Sequence, residues 1–575
     1  MSATSSPGRI AWSPLAKEWF TARRPDSGGG RANFSAGCCA CNAASTSRTV
    51  GAALTSTFTR SVLAPKDAAP KMSTSTCIAG VYGLAAEYAG DSCMGFRGQD
   101  YAFDSPAAAV AGMISRLAGA GAARPPEVVA IDAARGRVLA EDVRADRDSP
   151  AFDYSAMDGY AVRAADVEAV WRSAEAGASV TLAVVGESRI GDAPPVLPGE
   201  PHGAGMSAAP AGVGGRAIRI VTGAAIPEGA DAVLRREDVV EHGAGLAADG
   251  ECITSISLAP SVATRGRVRI GNNIRRRGEN ARAGETVLTA GTVLTAAALG
   301  TLAAVGCVWP RVHPRVRVAV ITTGDELVSP QATPGPYQIR NSNAAVIRAV
   351  LGSHAWIELV TRPDGTVMHA GDEEGALDAV LKAAIGHADA VVLTGGVSMG
   401  HRDPVRAAVE RCAAVAAEGG AEIVFHGLPQ RPGKPMLGAV VRRVGGASAD
   451  ERVPVFGLPG NPISAMVTCT RIVLPVLASL AAASADRAPV VGVPRLVTLA
   501  NPDGKTLDLW WHRLVRINAV GGAGMAELVD GRGSGDIIAG GRSDGFIEVP
   551  PTTAAHCTAS ARATPALVPF YPWPT

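Results

Sequence analysis

From Arg315 onward the chain alternates between short apolar β-forming runs and helical repeats, and most of the runs end at glycine or proline. "RVRVAVITTG" precedes "SNAAVIRAVLGS", "WIELVTR" precedes "DEEGALDAVLKAAIG", "DAVVLTGG" precedes "DPVRAAVERCAAVAAE", and "VPVFGLPGNP" precedes "ISAMVTCTRIVLPVLASL". A strand that is apolar throughout has to be covered on both faces. Intervening helices supply that cover when neighbouring strands run parallel. The pattern predicts an α/β domain over residues 313–484, built as a doubly wound parallel sheet.

The flanks read differently. Residues 1–104 are rich in Ser, Thr, Ala, Gly and Arg, and the first 65 residues hold only two acids, Glu18 and Asp26. They are expected to form a disordered leader or a targeting extension. Order is expected from Ser105, which can N-cap the helical spacing of "SPAAAVAGMISRLAG". The Gly/Pro-rich stretch 186–215 is expected to be an exposed loop. After Val490 short strand signals and turns predict a β domain over 485–575.

Composition removes some function classes. A net charge of +1 and 4% aromatic residues give no basis for a nucleic-acid or membrane-surface partner. Of the ten cysteines, five precede position 94. "GCCACNA" holds Cys38, Cys39 and Cys41, but no second pair stands at metal-ligand spacing. The scattered remainder fits a reducing compartment. The cytoplasm is the expected location, with the acid-poor leader leaving organellar targeting open. "TVLTAAALGTLAAVGCVWP" (292–310) is Ala-rich and carries Thr and Gly, which predicts a buried helix rather than a membrane span.

In an open parallel sheet, ligands bind beyond the carboxyl ends of the strands. Three strand ends carry unusual residues. They are Thr323-Gly324-Asp325-Glu326, then Thr394-Gly395-Gly396-Val397-Ser398 with Asp403 just after, and Leu458-Pro459-Gly460-Asn461-Pro462 with Ser464 opening a helix. Glycine lets a ligand approach the backbone and frees N–H groups for oxyanions. Ser398 and Ser464 fall near helix N-termini, which favour anions. Together these ends predict a cradle for a phosphate or another oxyanion. "RPGKPM" (431–436) adds Arg431 and Lys434 on a loop stiffened by Pro432 and Pro435. Glu326, Asp372 and Asp403 fall where strands give way to helices. Carboxylates beside a phosphate cradle suit Mg²⁺, although acids at such positions can also simply complement a helix dipole.

Other signatures are weaker. "GVSMG" matches a nucleophile elbow by letters, which would make Ser398 a nucleophile, but no HGGG-type oxyanion motif accompanies it. "DGKT" lacks the upstream glycine of a Walker loop, and no GxGxxG follows a strand. "SPAFDYSAMDGYAV" (149–162) reads as a tight loop entering a strand, and "GNNIRRRGENARAG" (271–284) as a basic hairpin between glycine turns.

These motifs, taken in order, resemble the molybdopterin molybdenumtransferase family, the bacterial MoeA-type proteins and the E domains of plant and animal counterparts such as gephyrin. The resemblance rests on "FDYSAMDGYAV", "RIVTGAAIPEGADAV", "NIRRRGEN", "ITTGDEL", "IRNSN", "LTGGVSMGHRD", "RPGKPM" and "GLPGNPISAM". It implies a linker region from 105–150 and 271–312, an inserted β-rich domain over 151–270, the α/β molybdopterin-binding domain, and a C-terminal β-barrel-like domain. It implies a homodimer in which Asp158 and Thr222 reach the partner's cleft. The implied reaction inserts molybdate into adenylated molybdopterin and releases AMP, with Mg²⁺ and a separate adenylyltransferase that supplies the substrate. Glu326, Asp372 and Asp403 would hold the metal. Thr394, Gly395, Gly396 and Ser398 would cradle the pterin phosphate. Arg431, Lys434 and Ser464 would bind molybdate, with Pro435, Pro459, Gly460 and Asn461 completing the substrate site.

The chain departs from the family pattern at several positions. Asn280 and Asn341 stand where the family commonly has Asp, Ala344 where Arg is common, Pro404 where an aromatic is usual, and Arg406 where Lys is usual. Asn keeps an oxygen acceptor and loses the charge. Two alternatives accompany the insertase reading: a molybdopterin adenylyltransferase on the same α/β fold, and a non-enzymatic scaffold. The "SAMDGYA" region and the single "TGGVS" module favour insertion.

Overall fold

The computed structural model describes residues 101–118, 124–175, 180–198, 213–247, 250–259, 268–373, 375–397, 404–415, 420–443, 451–482, 489, 491–520, 523–552 and 567–574. The expected leader falls outside these residues up to position 100.

Helix α1 (Pro106–Leu117) begins where Ser105 accepts the Ala108 N–H at 3.2 Å. Ala109, Met113 and Leu117 lie on one stripe and are buried in the core of the α/β region. Residues 134–145 and 281–312 share a separate small core around Leu139, Leu294, Leu302 and Val312, so the two arms of the expected linker meet. The apolar stretch 292–310 supplies a helix, Ala296–Ala304, capped by Thr295 and burying Ala298 and Leu302. A six-stranded sheet lies between those arms in sequence. Its strands run Ala232–Arg235, Gly159–Val162, Val213–Ile220, Thr181–Ser188, Gly250–Leu258 and Val239–Ala247 across the sheet. The expected loop 186–215 begins and ends inside two of these strands, and residues 199–212 lie outside the described residues.

The α/β region follows. It comprises β1 (Val316–Thr323), α2 (Ser342–Gly352), β2 (Ile357–Val360), β3 (Met368–Ala370), α3 (Ala376–His387), β4 (Ala390–Thr394), α4 (Pro404–Val415), β5 (Ala421–His426), β6 (Gln430–Arg431), β7 (Leu437–Arg442), β8 (Arg452–Leu458), α5 (Pro462–Thr468) and α6 (Leu474–Leu480). The sheet order is β2–β1–β4–β8–β7–β5, and β3 also pairs with β1. Val318 and Val320 of β1 face the core shared with α1, α2 and α5, whereas Ala319 and Ile321 face α3 and α4. This two-sided burial is what the apolar runs demanded.

The expectation of a wholly parallel sheet needs correction. β1, β2, β3, β4 and β8 are parallel, but β7 runs the other way, antiparallel to β8 on one side and to β5 on the other, so β5 again runs with the parallel set. The connections 427–436 and 443–451 are shorter than the dozen or so residues that a parallel crossover needs, so the chain doubles back.

The helical stretch from α5 to α6 is not uniform. Cys469–Val473 is a π-turn between them. Pro475 offers no N–H to the carbonyl a turn earlier, and the ladder widens just before it. Pro462–Leu480 has a mean hydropathy of 1.8 and is long and apolar enough to cross a membrane, yet 89% of its apolar window is buried inside the protein.

Strands β9 (Arg495–Leu499), β10 (Trp510–Val520), β11 (Ala523–Leu528), β12 (Gly545–Val549) and β13 (Leu567–Pro572) pair in the cycle β10–β11–β9–β13–β12–β10, a closed five-stranded barrel. β6 adds to β10 through Gln430 opposite Trp510 and Arg431 opposite Trp511. A buried polar knot joins the barrel to the α5–α6 stretch. Arg471 meets Glu548 at 2.7 Å, and His512 Nε2 lies 3.0 Å from the same carboxylate. Burial opposes ionisation of Glu548, but the Arg471 charge and the His512 hydrogen bond outweigh it and hold its pKa down to about 2.

Candidate functional site

The predicted strand ends are neighbours in space, because β1, β4 and β8 are adjacent and parallel. The chain leaves β1 for β2 on one side and reaches β4 on the other, so their ends form a topological switch point. Gly395 and Gly396 have φ of +95° and +66°, which only glycine adopts without strain. A Cβ on Gly395 would lie 2.5 Å from Thr323 Oγ1, so the turn also needs the missing side chain for close approach.

A set of short polar ties fixes these turns to one another. Asn343 Nδ2 donates to Thr394 Oγ1 and to the Gly460 carbonyl, both at 2.8 Å. Thr394 Oγ1 donates to the Pro459 carbonyl at 3.3 Å, and the Gly395 N–H reaches the Leu458 carbonyl at 3.2 Å. Asn341 caps α2 by accepting the Ala344 N–H at 3.0 Å and donates from Nδ2 to Thr322 Oγ1 at 3.0 Å. Thr322 Oγ1 in turn lies 3.2 Å from His369 Nδ1. Ser464 is buried, and the Ile463 N–H at the start of α5 donates to the Ser534 carbonyl of the barrel segment at 3.0 Å. Asn461 Nδ2 donates to Ser534 Oγ at 3.0 Å.

Charge is divided along this edge. Beyond β1 and β3 lie the carboxylates. The Asp325 carboxylate accepts the Asp372 N–H at 3.2 Å, and the Asp372 carboxylate accepts the Asp325 N–H at 3.4 Å. Both residues are exposed, and the Glu326 carboxylate folds over Gly324, where a Cβ would sit 2.3 Å from its Oε2. Beyond β8 lie the cations. β7 runs antiparallel to β8 and begins opposite its end, Leu437 against Gly457, so the loop 431–436 lies at this same edge. Gly433, at φ +96°, packs on Thr468 of α5. Arg431 is exposed, Lys434 and Pro435 are half-buried, and neither cation has an ion-pair partner among the described residues.

Ser398 and Asp403 lie outside the described residues. The oxygen donors of Asp325, Glu326 and Asp372 match the hard character of Mg²⁺, which commonly takes one or two carboxylates together with phosphate oxygens. Among the described residues no three His, Cys, Asp or Glu side chains cluster closely enough to hold an ion unaided. Asp158 and Thr222 meet each other: Asp158 Oδ1 accepts the Thr222 N–H at 2.7 Å and its hydroxyl at 2.9 Å. The N–H bond first, and the hydroxyl second, lower the Asp158 pKa. No hydrogen bond or ion pair among the described residues joins this exposed pair to the α/β strand ends. The basic hairpin is tied down, with Arg275 on Glu279 at 3.0 Å, and Arg276 on Asp153 and Arg277 on Asp148, both at 2.6 Å. Asn280 Oδ1 accepts from Arg275 at 3.3 Å.

Known proteins share this arrangement of domains. A family model described as the MoeA N-terminal region (domain I and II) matches residues 105–306, and one described as a probable molybdopterin binding domain matches residues 319–479. The molybdopterin molybdenumtransferase of Haemophilus influenzae is 32% identical over 356 residues, which cover 62% of this chain and 72% of the relative. The chain belongs to the molybdopterin molybdenumtransferase family. The molybdopterin molybdenumtransferase 2 of Mycobacterium tuberculosis is 34% identical over 380 residues, covering 66% of this chain and 81% of that one. The crystal structure of a molybdopterin biosynthesis MoeA protein from Pyrococcus horikosii aligns at a TM-score of 0.50 and 27% identity, over 77% of this chain and 94% of that chain. Within the family fold, the sequence motifs pointed to Glu326 and Asp372, named Asp325 only as part of the first strand end, and passed over Asn343 and Ser534. The signal for Asn343 was its place in "IRNSN", and for Ser534 its setting between glycines in "GRGSGD".

Proposed function

We propose that this protein inserts molybdenum from molybdate into adenylated molybdopterin and releases AMP. The observation that carries the reading is the division of charge across one switch point, with carboxylates beyond β1 and β3, a glycine turn beyond β4, and cations beyond β8 that make no ion pair among the described residues. Cleaving an adenylate breaks a bond between two anionic phosphates, and charge grows on the oxygen that leaves. Fixed donors and cations aimed at that charge lower the barrier. Lys434 would meet oxyanion charge, and the Gly395–Gly396 turn would let phosphate oxygens come close to the backbone. Asn343 holds that turn against the Pro459–Asn461 turn. One or two carboxylates from Glu326, Asp372 and Asp403 would hold Mg²⁺ together with the substrate's phosphate oxygens, and the ion would supply Lewis-acid neutralisation of the phosphates. In a homodimer, the exposed Asp158–Thr222 pair would be available to the cleft of a second copy of the chain.

The test is AMP and active cofactor formed from adenylated molybdopterin, molybdate and Mg²⁺, with wild type, Asp403→Ala and Lys434→Met compared. The expected result is AMP release that needs molybdate and falls steeply in both variants. A folded wild-type protein that binds the pterin but releases no AMP would overturn the reading. Consumption of ATP instead would move the chain to the adenylyltransferase step.

A further inference from the structure

The segment Gly531–Asp536 comes from the barrel, yet it touches the α/β strand ends. Ser534 holds it there twice, through Oγ to Asn461 Nδ2 and through its carbonyl to the Ile463 N–H, both at 3.0 Å. Asp536 shapes the segment from inside by accepting the Arg532 N–H at 3.0 Å and the Ala539 N–H at 3.2 Å. Its carboxylate is therefore committed to backbone donors. Arg532 stands two residues before Ser534, is exposed, and makes no ion pair among the described residues. Two residues of chain span about 7 Å at most, and an arginine side chain covers a similar distance. The Asn461 end of β8 therefore lies within reach of the guanidinium, on the edge that also carries Arg431 and Lys434. The loop around it is pinned at Ser534 and Asp536, so the cation is carried on a fixed base.

We propose that Arg532 is a substrate-contacting residue of this site, and that the barrel presents its guanidinium to an oxyanion, either the phosphate of the nucleotide or molybdate itself. The proposal rests on the insertase reading for the identity of the anion, and on the loop geometry for the contact. It gives the barrel a direct part in binding. A planar guanidinium meets two oxygens of a tetrahedral anion at once, which a lysine ammonium cannot match.

The experiment is calorimetric binding of AMP and, separately, of sodium molybdate to the full chain, for wild type, Arg532→Gln and Arg532→Lys. AMP-release kinetics on the same proteins give KM and kcat. The expected result is an affinity loss of roughly three- to tenfold for one of the two anions in Arg532→Gln, with partial recovery in Arg532→Lys. KM for the same anion rises while kcat stays within about twofold. The arm that changes identifies the anion. Among the described residues the side chain makes no hydrogen bond or ion pair and acts only through its charge on Asp536, so circular dichroism and Tm should match wild type closely. Unchanged affinity for both anions together with unchanged KM would overturn the proposal. Arg532-dependent anion binding by a wild-type protein that releases no AMP would leave the contact standing and sink the insertase reading instead.

Discussion

Asn343 shows how little chemistry holds this site together. One side-chain nitrogen ties Thr394 to Gly460 and so fixes the ends of β4 and β8 relative to each other. Removing it in Asn343→Ala leaves a carbonyl and a hydroxyl short of a donor, at a cost of about 1–3 kcal/mol. The larger effect is expected on AMP release, on the order of a hundredfold, because displacements near 1 Å disrupt alignment. Chemical denaturation beside steady-state kinetics separates the two. Asn341 makes a second residue-scale prediction. A backbone N–H can only donate, so the Ala344 contact fixes Asn341 with its oxygen toward the helix and its amide nitrogen toward Thr322. The Thr322 hydroxyl, already accepting there and fully buried, satisfies its own proton by donating to His369 Nδ1. His369 is then the Nε2–H tautomer, which its imidazole ¹⁵N shifts report. In Asn341→Asp the order reverses and Nδ1 carries the proton. Observation of the Nδ1–H form in wild type would refute the relay.

Among elements, the loop before β7 and the helix it rests on act together. Gly433 needs a positive φ, and a Cβ there would press to 2.5 Å from Thr468 Cγ2. Gly433→Ala is expected to cost roughly 1–3 kcal/mol for the backbone and a similar amount for the clash. It should also displace Lys434, so molybdate-dependent AMP release should fall beyond what the stability loss explains. Equal activity per folded molecule would show that the loop tolerates the shift.

Across the molecule, the Arg471–Glu548–His512 knot fastens barrel to α/β core. Glu548→Gln leaves the buried Arg471 charge without its counter-ion and should destabilise by about 3–5 kcal/mol. The pH dependence has a definite sign. The folded-state pKa of Glu548 is depressed from 4.5 to about 2, so its contribution is fully present above pH 4.5 and is lost as pH falls toward 2. Melting temperature should therefore decline across that interval in wild type and decline less in Glu548→Gln. Parallel curves for the two proteins would assign the acid sensitivity elsewhere. Because this knot and Ser534 lie on the same barrel, loosening the one should loosen the loop that carries Arg532.

The chain's order of residues determined the alternation of strand and helix, the glycine turns and the cations of the 431–436 loop, because apolar periodicity and backbone freedom are local properties. It also carried the α/β fold class from the two-sided apolar runs. It could not determine the reversed direction of β7, which connection length decides only once strands have neighbours. Nor could it reveal that Asp325 and Asp372 cap each other across adjacent strands, that Asn343 bridges two turns, or that a barrel residue 73 positions along the chain closes on Asn461. Those contacts join residues far apart in sequence, and only the packed sheet and barrel bring their atoms within hydrogen-bonding distance.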